Sequence, residues 1–223
     1  MDIAHCPALI NRVTYTGDLG YEIWMETGAA LAIWDRLIAA GHGYGITPCG
    51  ILAMDMARVE AGLFMIDVDY TSAHAAWIDS QKSSPYELGL DWTVHLDKPG
   101  HFVGRQALER EQREGAAWKM VGVEVDWEGM ERLFAAVGLP PQIPGMAVRG
   151  SLPIYAGKKQ VGYASTSTWS PVLKKYIALA HLQRPYHEPG TAVNMEVTVE
   201  HQRRQAPARV VKLPFYEPEW KKK

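Results

Sequence analysis

Cysteine is almost absent. Cys6 and Cys49 are the only two in 223 residues, with no CxxC spacing and no neighbouring histidine pattern. Neither a disulfide framework nor a structural zinc site is supported, and both thiols are expected to be small core residues. Long apolar runs are missing too: nothing approaches the roughly 18 residues of a membrane span. The start, Met1-Asp2-Ile3-Ala4-His5, lacks the basic and apolar regions of a signal peptide. A soluble, cytoplasmic chain with no membrane partner is therefore expected. Charge of one sign is lacking as well, since 23 Lys+Arg meet 25 Asp+Glu for a formal net charge of -2. That balance argues against a nucleic-acid partner. There is no GxGxxG after a strand, no GxxxxGK[ST], no HExxH, no GxSxG and no EF-hand loop. His5, His42, His74, His95, His101, His181, His187 and His201 are scattered without ligand spacing, so no metal centre is predicted.

What is present is an ordinary folded composition, 47% hydrophobic and 22% charged, enough for a real core. Alternation of Val13, Tyr15, Tyr21, Ile23 and Met25 around Thr16-Gly17-Asp18-Leu19-Gly20 predicts two short strands over Arg12 to Met25. Leu31, Trp34, Leu37 and Ile38 recur at helical spacing between Gly28 and Ala40, with Gly41 placed to be the left-handed residue after a helix. A second helix is predicted from Cys49 to Ala61, ended by Gly62, with Asp55 and Arg58 three residues apart and able to pair. The polar stretch Asp67 to Pro99 holds a predicted strand at Asp91 to Leu96. A charged helix follows over Gly104 to Glu114, then a strand over Lys119 to Val125, a short helix over Met130 to Val137, and the breaker Leu139-Pro140-Pro141-Gln142-Ile143-Pro144-Gly145.

The last third changes character. Five β-rich runs, Pro153 to Tyr155, Gln160 to Thr166, Tyr176 to Leu182, Val193 to Val199 and Ala208 to Leu213, are separated by turn signals. They predict a small antiparallel barrel or sandwich. The eight tryptophans, Trp24, Trp34, Trp77, Trp92, Trp118, Trp127, Trp169 and Trp220, fall in different elements and are expected to be packing residues. Lys221-Lys222-Lys223 is expected to be a solvated tail. The Pro-rich break favours two domains. Periodicity alone ends at an α+β domain followed by a small β domain.

One segment says more. Val13-Thr14-Tyr15-Thr16-Gly17-Asp18-Leu19-Gly20-Tyr21-Glu22-Ile23 resembles the Tyr-Thr-Gly-x-x-Gly-Tyr-Glu signature of the aminomethyltransferase family, the T-protein of the glycine cleavage system and its relatives. The run from Gly50 to Gly62 is similar to that family's Gly-Leu-x-Ala-Arg-Asp-x-Leu-Arg-x-Glu-Ala-Gly helix. Ser84-Pro85-Tyr86-Glu87-Leu88-Gly89-Leu90, Asp97-Lys98-Pro99, Phe102 to Leu108, Val161-Gly162 with Ser167, Ser170-Pro171 and Pro214-Phe215-Tyr216 follow in the family's order.

The resemblance implies an α+β fold: the C-terminal part of the folate-binding T-protein-like domain over 1–116 and a small antiparallel β-barrel domain over 117–223. It implies tetrahydrofolate as cofactor and transfer of an aminomethyl or methyl unit from a small N-, O- or S-linked one-carbon donor to folate N5. On that model Glu22 is the pterin-recognition carboxylate, Tyr15 sits against the ligand, and Arg58 holds a folate carboxylate or fixes a neighbouring acid. Gly17 and Gly20 are expected to take positive φ and so place Tyr15 and Glu22 on one wall. Without the resemblance, Glu22 on its strand would be a solvent-facing residue and Arg58 a surface partner of Asp55 or Glu60.

Two departures stand out. Met54 replaces the first arginine of the family helix, which implies a donor other than that of the glycine-cleavage enzyme. Met1 aligns shortly before the Tyr-Thr-Gly motif, so the family's catalytic aspartate has no counterpart and no catalytic residue is assigned. Association with itself, as a homo-oligomer, or with a subunit carrying the missing N-terminal segment is expected. Two further functions are compatible with the same residues: a non-catalytic folate-binding or regulatory protein, and an interaction module of a larger demethylase or oxidoreductase complex.

Overall fold

The computed structural model describes residues 1–219; Trp220 and the three terminal lysines lie outside the described residues. The chain begins with a three-stranded antiparallel sheet, β1 (Asp2–Ile3), β2 (Cys6–Asn11) and β3 (Glu22–Met25). Helix α1 (Ala30–Gly41) follows, then α2 (Ile51–Glu60) and α3 (Arg105–Glu114). The rest is a closed barrel of six strands: β4 (Trp118–Val125), β5 (Val148–Ala156), β6 (Lys159–Ser170), β7 (Lys175–Gln183), β8 (Ala192–Val199) and β9 (Gln202–Val211). The strand order is β4-β7-β6-β5-β8-β9, every neighbour antiparallel, with β9 closing on β4. Helix α4 (Trp127–Ala135) packs its Met130 and Phe134 into the barrel core. The fold is mixed α+β.

Alternation along β7 explains why this strand is apolar on both faces. Tyr176, Ala178, Ala180 and Leu182 face the barrel core, whereas Ile177 and Leu179 face a second cluster outside it with Val59 of α2, Leu88 and Met120. Each side of a strand sees a different neighbour, because successive side chains point to opposite faces. The outer cluster seats α2 and the loop after it against the barrel.

Several local expectations are corrected. The first strand of the N-terminal ribbon is Cys6–Asn11, not a segment beginning at Arg12, so residues 12–21 form one long connection. Asp91–Thr93 is a single 3-10 turn, not a strand; the Thr93 hydroxyl donates to the Leu90 carbonyl at 2.7 Å and holds the turn closed. Gly41 ends α1 at φ -80, and the left-handed residue is Gly45 at φ 75. Cys6 is half-buried and Cys49 exposed, because Cys49 precedes α2 in an open loop. Trp24, Trp34, Trp77 and Trp92 are exposed. Packing is the role of Trp127 and Trp169, whose rings meet edge-on at 4.8 Å, and of Trp118 against Tyr163.

Candidate functional site

Pairing in the N-terminal ribbon fixes where Glu22 points. Asn11 faces Glu22, Ile10 faces Ile23, Leu9 faces Trp24 and Ala8 faces Met25. Glu22 therefore shares a face with Asn11, Leu9 and Trp24. That face is open: Leu9 is 62% and Trp24 59% exposed, and Glu22 is exposed beside them. A carboxylate one row along from a paired indole and aliphatic side chain can accept two parallel N–H donors from a flat heteroaromatic edge while the ring covers apolar area.

The connection before it is tightly built. The Thr14 hydroxyl accepts the Thr16 N–H at 3.2 Å, and Gly17 takes φ 75. Gly20 is needed for a different reason than expected. A Cβ there would lie 2.9 Å from the Val13 carbonyl oxygen and 3.1 Å from Thr14 Cβ, so close backbone approach demands glycine rather than a positive φ. The connection borders an open surface pocket of about 450 Å³ lined by Val13, Thr14, Gly17 and Leu19 among others. Tyr15 is half-buried, and neither it nor Glu22 lines that pocket.

Arg58, expected either to hold a folate carboxylate or to fix a neighbouring acid, is an internal tie between two neighbouring acids. It is 0% exposed. Its Nε donates to Asp55 Oδ1 at 2.9 Å, Nη1 to the Leu63 carbonyl at 3.2 Å and to Asp69 Oδ2, and Nη2 to Thr166 Oγ1 at 3.0 Å. These partners surround the guanidinium with protein, leaving it no open face toward a ligand. The pairing with Asp55 was legible from the i, i+3 spacing; Asp69 and Thr166 were not. Asp69 also accepts from the Met65 N–H at 2.8 Å, from Ser165 Oγ at 2.6 Å and from Thr166 Oγ1 at 2.7 Å. Arg149 reaches Asp55 Oδ2 from β5, with Nε at 3.1 Å and Nη2 at 3.0 Å. Among the described residues, no hydrogen bond or ion pair links any two of Tyr15, Glu22 and Arg58.

A histidine that scattered spacing gave no reason to select is buried in the same region. His181 is 4% exposed, with Nε2 at 2.7 Å from the Asp69 carbonyl oxygen and its ring stacked on Tyr163 at 5.2 Å. Burial pushes its pKa below the usual histidine value. The available signal was parity, since His181 lies two and four residues beyond the outward-facing Leu179 and Ile177. Among the described residues no group of three or more His, Cys, Asp or Glu is placed to hold a metal ion, and no helix is long and apolar enough to cross a membrane.

Comparison with known proteins fits this arrangement. Residues 1–98 match the model of the GCVT N-terminal domain, and residues 135–217 that of the glycine cleavage T-protein C-terminal barrel domain. The aminomethyltransferase of Bacillus pumilus (strain SAFR-032) is 31% identical over 215 residues, 96% of this chain and 51% of that protein. The aminomethyltransferase of Prochlorococcus marinus (strain NATL2A) is 34% identical over 93% of this chain and 46% of its own. Trimethylamine-oxide aldolase of Ruegeria pomeroyi is 35% identical over 96% of this chain and 24% of its own. The crystal structure of glycine cleavage system aminomethyltransferase T from Bartonella henselae superposes with a TM-score of 0.69 at 21% identity, covering 93% of this chain and 49% of that one. The chain thus spans about half the length of the curated aminomethyltransferases it matches. With both domain models matched in order, the chain belongs to the glycine cleavage T-protein, or aminomethyltransferase, family.

Proposed function

We propose that this chain takes part in tetrahydrofolate-dependent one-carbon transfer, from a small N-, O- or S-linked donor to folate, with Glu22 as the group that recognises the pterin. The observation that carries this reading is the placement of the family-matched Glu22 on an open face beside Trp24 and Leu9. The residues suit the cofactor. A pterin offers a ring N–H beside an exocyclic amine, and an ionised carboxylate accepts both as charge-assisted hydrogen bonds. Trp24 and Leu9 supply apolar area for the flat ring system. Tyr15, half-buried in the connection, is proposed to border the same ligand. Tetrahydrofolate, when bound, supplies the nucleophilic nitrogen that accepts the one-carbon unit. The side chains of this chain bind and orient it, and none is given a proton-transfer role.

The ribbon and the first two helices together present more apolar area than a monomer ordinarily leaves open. Leu9, Trp24, Leu31, Trp34, Ile51 and Leu52 are all at least half exposed. Since the relatives are about twice as long, we propose that polypeptide equivalent to their unmatched half covers this area and completes the folate cleft. The test is a tetrahydrofolate titration followed by tryptophan emission, with Trp24 as reporter, comparing wild type and Glu22→Gln in the presence of that segment. The variant is expected to lose about 1.5–3 kcal/mol of binding, the contribution of a hydrogen bond to a charged group. Equal affinities would remove Glu22 from the site.

A further inference from the structure

A cavity of about 480 Å³ lies between the outer face of the barrel and the segment that follows α2. The strand register builds its wall. His181 on β7 pairs directly with Tyr163 on β6 and with Met120 on β4, and Trp118 lies two residues before Met120, so Trp118, Tyr163 and His181 all look outward. None of the residues lining this cavity belongs to the Glu22 face.

The chemistry of the wall is specific. The Asp69 carbonyl oxygen can only accept, so His181 Nε2 carries the proton and Nδ1 is left as a lone-pair acceptor. Nδ1 has no hydrogen-bond partner among the described residues, although the ring is 4% exposed and lines the cavity. Nδ1 therefore opens onto the cavity as an acceptor that a donor bound there can reach. Tyr163 and Trp118 add aromatic rings, 6.5 Å apart and inclined at 54°. Three carboxylates, Asp67, Asp79 and Glu87, line the rest, and Lys82 is already held by Asp79 at 2.7 Å. The charge of Asp69 is met by Arg58. With Asp79 paired to Lys82, Asp67 and Glu87, which have no ion-pair partner among the described residues, leave the cavity negative, aromatic-walled and provided with one open acceptor. An anion would be repelled by the carboxylates, and an apolar ligand would use neither them nor Nδ1.

We propose that this cavity binds a small organic ammonium ion, its N–H donated to His181 Nδ1, its positive charge facing the rings of Tyr163 and Trp118 and the Glu87 carboxylate. A protonated amine satisfies each feature at once: cation–π attraction to the rings, charge pairing with the carboxylate, and a donor for Nδ1. The volume is within the range of small-molecule sites. The assignment does not depend on folate binding, because it uses neither Glu22 nor Tyr15.

The experiment compares three probes that share a benzyl group on the intact chain at about pH 8, where a histidine ring is neutral. They are benzylammonium, benzyltrimethylammonium, which keeps the charge but has no N–H, and benzyl alcohol, which is uncharged. Binding is read from the ¹⁵N resonances of labelled histidine and from tryptophan emission. Benzylammonium is expected to move the His181 Nδ1 resonance saturably and to bind at least about tenfold more tightly than either relative, the margin of one charged hydrogen bond. Glu87→Gln is expected to weaken benzylammonium about fivefold, as loss of a partly solvated charge partner would. Equal affinity for the three probes, an unmoved His181 resonance, or no saturation by any of them would overturn the assignment. The three probes on the wild-type chain decide the matter even if the variant fails to fold.

Discussion

Replacing Arg58 by methionine removes a buried cation while keeping most of its length and apolar stem. The perturbation leaves two carboxylates behind. Asp55 keeps Arg149, whose Nε and Nη2 lie 3.1 and 3.0 Å from Oδ2. Asp69, with a fully buried side chain, loses its only ion-pair partner among the described residues but keeps the Met65 N–H and the hydroxyls of Ser165 and Thr166. Breaking one side of a buried pair typically costs about 3–5 kcal/mol, because an uncompensated charge remains. Three surviving neutral donors on Asp69, and a second cation on Asp55, put the expected loss near the lower end, about 3 kcal/mol. The assay is urea unfolding followed by far-ultraviolet circular dichroism, with a double-mutant cycle against Asp69→Asn. Once the aspartate is neutral, losing the arginine should hurt far less, so the two changes should couple by at least about 1.5 kcal/mol. A loss below about 1 kcal/mol, the level of a solvent-exposed pair, or strictly additive effects, would refute the internal-tie assignment.

Gly162→Ala should destabilise the barrel by about 3 kcal/mol in the same denaturation assay, because a Cβ there meets Leu182 Cδ2 at 2.6 Å and the His181 carbonyl oxygen closer still; a neutral outcome would show that β6 and β7 are not paired in this register. Burial lowers the pKa of His181, and of His187, below the unfolded value of 6.5. The unfolded chain therefore binds more protons, and stability should fall as pH drops from about 7 to about 5. Glu87, whose carboxyl burial pushes above its usual value, acts in the opposite sense and lower on the scale. His181→Gln should flatten the pH dependence of the urea midpoint, and an unchanged profile would count against a neutral buried ring. Amide hydrogen exchange should be slowest in β4, β6 and β7 and much faster before residue 47, where Ala8 and Ile33 are the only buried hydrophobic side chains among the described residues; equal protection in both regions would contradict this.

The barrel was legible because each strand carries its own signals. Turn residues such as Gly157-Lys158-Lys159 and Glu188-Pro189-Gly190 bracket runs of β-branched and small apolar residues, and five runs plus Lys119–Val125 already make the six strands observed. The N-terminal ribbon was displaced because Cys6–Asn11 contains Pro7 and shows no clean alternation. Val13 and Tyr15 alternate by chance within a connection. The candidate site divides the same way. Glu22 could be put on a strand from local pattern and given a role from the motif around it. The partners of Arg58 could not, because Thr166 is 108 residues away in sequence and meets the guanidinium only once β6 is folded beside α2. Long-range polar networks leave no periodic trace.

How Ser165 and Thr166 both reach Asp69 shows what the fold adds. On a regular strand, consecutive side chains point to opposite faces, so two neighbouring hydroxyls cannot meet one carboxylate. The register between β6 and β7 slips between Ala164 and Thr166, with Ala164 opposite Ala180 and Thr166 opposite Leu179. The extra residue, Ser165, is a bulge, and it turns both hydroxyls outward to Asp69 Oδ1. Asp69 then ties its own loop to three other elements of the molecule, α2, β6 and β7. Its carboxylate holds Arg58 of α2 and the bulge of β6, its side chain also accepts the Met65 N–H of the loop, and its backbone carbonyl fixes the tautomer of His181 on β7. The orientation of the one unpartnered imidazole nitrogen in the outer cavity is thus set by the residue that anchors α2. A bulge costs local pairing but is tolerated here because the polar groups it redirects gain charge-assisted contacts with the Asp69 carboxylate in return.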